Sequence, residues 1–520
     1  MEKTSPMKIL LLYPEFPDTF WSFKHAVKFI GKKAGSPPLG LATVAAMLPT
    51  RWEKRLVDMN VTRLKQSDLD WADYVFISAM DVQRASVRTV IERCKASQKM
   101  MVAGGPLFTA EYENFPDVNY FVLNEGEITL PLFLADLEKG TPQRIYKTDE
   151  YPNIRTTPVP MWELVDMGKY DSMNIQFSRG CPFNCEFCNV TALLGHRPRT
   201  KSKEQIIAEL DKLYSLGWRR SIFFVDDNFI GNKKELKQDI LPALIEWRKG
   251  KEGFLFTTEV SINLADDVEL TDLMVKAGFV NIFVGIETPD EDSLAECHKT
   301  QNISRNLVES VKKLQRAGLQ VMAGFIVGFD SDTPTIFQRQ IDFIQKSGIV
   351  TAMVGLLQAP HGTQLYERMA KDGRLLHEMS GDNGDGTTNI VPKMDAEVLR
   401  NGYLGIIEQI YSPKLFYKRI KTFLAEYHPL KMDVSIHINE VMAFFKSVWK
   451  LGIIGRERWQ YWNLFFWTIF HYPRKFAMAI TLSIYGYHFR TISELHIFER
   501  NDARTAARIE AGKGQLVSAG

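Results

Sequence analysis

Cysteine is scarce in this chain of 520 residues: Cys94, Cys181, Cys185, Cys188 and Cys297 are the five present. Three of them crowd into one short segment, which excludes a disulfide framework and points to a reducing compartment. An excess of either charge is also lacking. The 64 Lys and Arg face 62 Asp and Glu, a formal net charge of +2, and no block of like charge interrupts the chain. Nothing in that balance calls for nucleic acid or an acidic partner. Long hydrophobic runs are missing too. The densest stretch, 461–473, has no Asp, Glu, Lys or Arg, but Arg474 and Lys475 break it before 476–489 resumes. Neither half reaches the ~20 apolar residues that span a bilayer. The polar residues Met1 to Pro6 show no secretory leader, so a cytoplasmic location is expected.

What is present is a globular composition, 45% apolar and 24% charged, on a length that calls for two or three domains. Short apolar runs at 9–13, 55–58, 74–78, 101–103 and 120–123 read as buried strands. Segments 39–48, 82–97 and 129–139 read as helices, and 14–36 as a long loop. This alternation predicts an α/β fold, with a Rossmann-like parallel sheet over 1–145 and ligands beyond its C-terminal strand ends. After a proline-spaced connector at 151–160, six strands are expected at 174–178, 221–225, 254–261, 281–287, 321–328 and 350–357. With helices between them they predict a partial (β/α)6 barrel over 146–375. The alternation then stops. A mainly helical, aromatic-rich domain is expected over 376–500, and a disordered tail over 501–520.

The segment Ser178-Arg179-Gly180-Cys181-Pro182-Phe183-Asn184-Cys185-Glu186-Phe187-Cys188 spaces its thiols as C-x3-C-x2-C. Three thiolates on a short loop after a strand can bind three irons of a cubane and leave the fourth iron open to chelate a ligand. A structural zinc site is the alternative, and it would need a fourth ligand such as His196.

This loop, with aromatic Phe187 before its last cysteine, resembles the radical S-adenosylmethionine (SAM) superfamily. Strand-end segments agree: Val225-Asp226-Asp227-Asn228-Phe229, Glu259-Val260-Ser261, Gly285-Ile286-Glu287-Thr288-Pro289, Gly324-Phe325-Ile326-Val327-Gly328-Phe329 and Pro360-His361-Gly362-Thr363. The resemblance implies a [4Fe-4S] cluster on Cys181, Cys185 and Cys188, cleaving SAM to a 5′-deoxyadenosyl radical. It places Phe187 by the adenine, Glu259 and Ser261 by the methionine part, and Glu287 by the ribose. Read by themselves, Glu259 and Glu287 are equally rim carboxylates in salt bridges.

A Rossmann-like domain before such a barrel resembles the cobalamin-dependent subfamily, on Pro37-Pro38-Leu39-Gly40-Leu41, Gly104-Gly105-Pro106 and Glu125-Gly126-Glu127. That implies a corrin on the sheet edge near Gly104, Gly105, Glu125 and Gly126. The D-x-H-x-x-G motif is absent, and His25 lacks that context and reads as a packing residue. Cys94 and Cys297 stand alone, so a second cluster, as in methylthiotransferases, is excluded by counting. The helical tail resembles that of hopanoid methylases and bacteriochlorophyll methyltransferases, and reads as a buried hairpin or as a membrane-surface contact. Together these features imply a cobalamin-dependent C-methyltransferase on a small hydrophobic substrate, lipid or tetrapyrrole, fed by a flavodoxin- or ferredoxin-type reductant. A radical SAM oxidoreductase or cyclase is the alternative, and a non-catalytic cobalamin or cluster sensor the remote one.

Overall fold

The computed structural model describes residues 6–251, 253–429 and 438–495. The apolar runs of the first third form strands β1 (Lys8–Tyr13), β2 (Glu53–Asp58), β3 (Tyr74–Ser78), β4 (Met100–Gly104), β5 (Tyr120–Val122) and β6 (Ile145–Tyr146). They pair in parallel in the order β2-β1-β3-β4-β5-β6. Ile9 to Leu12 of β1 are fully buried because both faces of the sheet are covered, which is why this strand reads as a continuous apolar run. Leu10 and Leu12 pack with the helix Arg84–Ala96, and Ile9 and Leu11 with the helices Leu39–Met47 and Gly126–Glu138. The strand order reverses beside β1, and such a switch point opens a crevice at the C-terminal strand ends.

The second series contributes β7 (Met173–Ile175), the short β8 (Ser178–Arg179) and β9 (Arg199–Thr200), then β10 (Ile222–Phe224), β11 (Phe256–Val260), β12 (Phe279–Glu287), β13 (Gln320–Val327) and β14 (Ala352–Leu356). Six of these form a parallel sheet, β14-β13-β12-β11-β10-β7, as the partial barrel requires, and β8 and β9 make a separate antiparallel ribbon.

The helices Ala396–Ile410, Pro413–Glu426, Ile438–Ser447 and Arg458–His471, and the helical residues 476–495, share one continuous core with the barrel. Fully buried Arg419 ties the first two to the sheet edge, donating to Ile410 O (2.8 Å) and Val350 O (3.1 Å). The Tyr411 hydroxyl donates to Ala352 O of β14 at 2.6 Å.

The expected loop at 14–36 is instead partly helical, at Phe20–Ser22, Lys24–Val27 and Lys28–Ile30. These turns are set by partners distant in sequence. Phe20 stacks on Phe489 at 4.2 Å, Trp21 meets Phe283 edge-on at 5.1 Å, and the Trp21 indole nitrogen lies 2.9 Å from Met353 Sδ. His25 sits among them, its Nε2 3.3 Å from Asp18, beside His488. The expected tail, 501–520, lies outside the described residues, and among those described no helix is long and apolar enough to cross a membrane.

The N-terminal sheet meets the barrel through a buried polar contact. The Tyr170 hydroxyl donates to Asp58 Oδ2 at 2.8 Å, and Asn60 donates to Asp58 Oδ1 through its backbone (2.9 Å) and side chain (2.7 Å). Tyr170→Phe leaves a buried carboxylate short of one donor, and should cost about 1–3 kcal/mol of unfolding free energy in a denaturant titration.

Candidate active site

The cysteine segment begins where β7 ends. Asp226, following β10 and fully buried, accepts the N–H groups of Phe177 (3.0 Å) and Ser178 and the Ser178 hydroxyl (2.6 Å). Burial pushes its carboxyl up to about 7, against the pull of those donors. The chain then enters the β8–β9 ribbon, which closes the cysteine loop at its base. Gly180 has φ +93°, and a Cβ there would lie 2.8 to 3.0 Å from the carbonyl oxygens of Arg197, Gly195 and Leu194, so the turn requires glycine.

Cys181, Cys185 and Cys188 are all half-buried on this loop. Asn228 Nδ2 stands 3.9 Å from Cys181 Sγ, and Gln301 Nε2 3.8 Å from Cys185 Sγ. Burial pushes the Cys188 thiol up to about 12 and that of Cys181 in the same direction, so a bound metal must ionise them. Lys299 is close by, 2.6 Å from Glu287 Oε1 and 5.9 Å above the Phe187 ring. Burial opposes its charge, but Glu287 and Cys185 outweigh it and hold the ammonium well above its ordinary pKa. His196 is exposed, and among the described residues no three His, Cys, Asp or Glu are arranged to hold a single metal ion. Three thiols with amide donors and a fixed cation fit a [4Fe-4S] cluster.

Ion pairs grip the loop at both ends. β8 and β9 set Arg179 opposite Arg199, a repulsive cross-strand pair by itself. Glu125 lies between them, at 2.7 Å from each guanidinium, and Glu127 takes Arg179 through two bonds of 2.9 and 3.0 Å. Burial works against Glu127, yet Arg179 holds its carboxyl below the ordinary range. At the other end Arg368 donates to both oxygens of Glu186 (3.1 and 2.5 Å) and to Asp330 (2.9 Å). Arg374 completes the network on Asp330 at 2.7 and 2.8 Å.

One cavity of about 1740 Å³ joins this loop to the rest of the molecule. It reaches Gly104, Gly105, Glu125 and Gly126 on the N-terminal sheet edge, and Phe187, Cys188, Glu259 and Glu287 at the barrel mouth. It continues past Phe223, Thr257 and Met322 inside the barrel to the C-terminal helices. Ser261 is not on its wall: its hydroxyl donates to Asn263 Oδ1 (2.8 Å), and its N–H donates to Asn228 Oδ1 (3.2 Å) and so positions the amide that faces Cys181. The Glu287 carboxylate lies against Gly285, in the space a Cβ would take. Phe187 packs toward Phe329 at 6.3 Å. Gly104 and Gly105 have a local reason as well, since a Cβ on Gly105 would lie 2.6 Å from Ser78 Oγ. The roles of Lys299, Gln301 and Arg368 escape sequence reading, because nothing in their spacing marks them.

Two outcomes follow from this geometry. Arg179→Met removes the cation shared by Glu125 and Glu127 and frees the base of the loop. Reconstituted protein should hold less iron and show weaker visible cluster absorption, with Arg179→Lys restoring part of it. Glu259 is pushed up to about 8, by burial first and then by Asp227 and Asp226. A carboxyl raised in the folded state costs stability once pH exceeds its ordinary value. Glu259→Gln should therefore be near neutral at about pH 4 and increasingly stabilising toward about pH 8, as denaturant titrations across that range would show.

Comparison with known proteins agrees with the site. Residues 175–344 match the radical SAM superfamily, and 363–501 match a domain of unknown function, DUF4070. The chain is 41% identical over 497 residues to an uncharacterized methyltransferase of Synechocystis sp., covering 94% of this chain and 92% of that one. It is 34% identical over 471 residues to the hopanoid C-2 methylase of Rhodopseudomonas palustris, covering 88% of both. In fold it is similar to the radical SAM methyltransferase TsrM of Kitasatospora setae, solved with cobalamin and a [4Fe-4S] cluster bound. That match has a TM-score of 0.60 at 14% identity and covers 94% of this chain and 100% of TsrM. The chain thus belongs to the radical SAM superfamily, in the group that contains the hopanoid C-2 methylase, and is an enzyme of SAM and a [4Fe-4S] cluster.

Proposed function

We propose that this enzyme is a cobalamin-dependent C-methyltransferase acting on an unactivated carbon of a hydrophobic lipid or tetrapyrrole. The observation that carries the reading is the large, mainly apolar cavity of about 1740 Å³. It exceeds the ~300–1,000 Å³ of an ordinary small-molecule site, and offers room for two cofactors and a substrate in one chamber. Its connection of the sheet edge to the cysteine loop also supports the division into a cobalamin-binding domain (1–145), a barrel (146–375) and a helical domain (376–500). The identity to the hopanoid C-2 methylase favours a lipid.

In this reading Cys181, Cys185 and Cys188 hold three irons. Phe187 flanks the adenine of SAM, Glu287 with Lys299 meets the ribose, and Glu259 receives the ammonium group. Ser261 acts one step back, through Asn228. The sheet edge at Gly104, Gly105 and Gly126 takes the corrin. The Glu125 carboxylate is already engaged by Arg179 and Arg199, so it positions the loop. When bound, the cluster supplies the electron that cleaves SAM and cobalamin supplies a methyl carrier. The chain's own task is to exclude water: the wall between the sheet and the helices is built from Phe76, Leu130, Trp21 and Phe444. A flavodoxin- or ferredoxin-type protein would deliver the electron, with the enzyme in the cytoplasm or at a membrane surface.

Anaerobically reconstituted protein, supplied with cobalamin, reductant and methyl-labelled SAM, should transfer label to a hopanoid-type lipid or a chlorophyll-type tetrapyrrole. S-adenosylhomocysteine and 5′-deoxyadenosine should form together. Deoxyadenosine formed with substrate but without label transfer would move the assignment to an oxidoreductase or cyclase. Replacing Cys181, Cys185 and Cys188 by alanine should abolish deoxyadenosine formation.

A further inference from the structure

The C-terminal helices carry apolar side chains on two opposed faces. Inward, Ala443, Phe444, Phe476, Ile480 and Ile484 line the cavity. Outward, the helices Ile438–Ser447 and Arg458–His471 and the π-helical segment Val448–Ile454 between them present large side chains to solvent. Phe445, Trp449, Trp459 and Phe470 are 64, 58, 74 and 79% exposed. Of twenty large exposed apolar residues among those described, eleven lie within 438–470. A stable soluble fold does not gather them on one hairpin without something to cover them.

The charges on this hairpin identify the occupant. Positions 438–475 carry six Lys or Arg against two acidic residues. One of those acids, Glu457, is buried in an ion pair with Arg490. Lys450, Arg456, Arg458 and Arg474 are exposed around the aromatic side chains. Exposed tryptophan and phenylalanine beside an excess of exposed cations match the interface of a bilayer with anionic headgroups. Neither helix is long enough to cross the bilayer, so the hairpin would lie in its surface.

The cavity also reaches the surface beside this face. Val441, Ala477 and Thr481 line it and are exposed, which places a mouth between the helix Ile438–Ser447 and helical residues 476–495. We propose that the hairpin at 438–470 docks the enzyme on anionic membrane, and that the mouth between Val441 and Thr481 admits an apolar substrate directly from the lipid. The docking stands on the exposed face alone, while the entry route rests on the substrate class proposed above.

The test uses the full-length holoenzyme with vesicles of phosphatidylcholine, alone or mixed with phosphatidylglycerol. The enzyme should sediment with the mixed vesicles, less so at high salt, and brominated acyl chains should quench its tryptophan fluorescence. The double variant Phe445→Ser/Trp449→Ser should bind about tenfold more weakly or worse. Its ratio of turnover on vesicle-borne substrate to turnover on the same substrate in micelles should fall by a similar factor. Wild-type enzyme left in the supernatant, or a double variant that binds as tightly, would overturn the docking. So would a wild-type dimer in solution that the double substitution makes monomeric, since a second copy would then cover this face. A preserved vesicle-to-micelle ratio in a variant that no longer binds would overturn the entry route. Vesicle binding without any methyl transfer would leave the docking intact and count against the catalytic reading instead.

Discussion

Arg179 is the point on which the active site turns. It precedes Cys181 by two positions, and Glu125 and Glu127, at the start of the helix Gly126–Glu138, hold it. The loop it anchors has Phe183 and Phe187 as its large apolar side chains, too few for packing alone to define its shape. Charges do so instead. Buried ions are costly to desolvate, and a pair such as this adds little net stability over apolar residues of the same size. It does fix register: only one placement of the N-terminal sheet satisfies both carboxylates. The Glu186–Arg368–Asp330–Arg374 network does the same at the other end of the loop. The thiols are suspended between two ionic anchors, one on each neighbouring layer.

The six-stranded barrel leaves room for this arrangement. With β7 and β14 unpaired at its edges, the sheet curves around a space without closing on it. Other parts of the chain complete the wall: the turns near residue 20, the N-terminal sheet edge and the last helices. One core runs through barrel and helices, so the C-terminal region is structurally part of the chamber rather than an appendage.

Much of this was legible in the residues. Continuous apolar runs gave the buried parallel strands to within about three residues, and the residues around the cysteines gave the resemblance that implies the cluster. What escaped had physical reasons. β6 is two residues long, too short for any periodic signal. The turns of 20–30 depend on Phe489 and Tyr485, which no local window contains. The place of Glu125 at the sheet edge is visible in the sequence, while its guanidinium partners Arg179 and Arg199 come from a ribbon far along the chain. Ser261 is similar: a strand-end serine can face the chamber or the neighbouring loop, and here its N–H meets the Asn228 amide on the loop side. The aromatic halves 461–473 and 476–489 left burial and exposure open, and the structure shows their side chains divided between the two.

The contact between the first turns and the last helix has a consequence for biosynthesis. The carbonyl of Phe20 meets His488 across 468 positions. Residues 476–484, which form part of the chamber wall, emerge from the ribosome long after the sheet edge and the cysteine loop have been made. Until those residues fold against the first turns, the chamber lacks one side. Non-local closure of this kind is slow to form, so the chain's own path makes completion of the chamber wall a late step in folding.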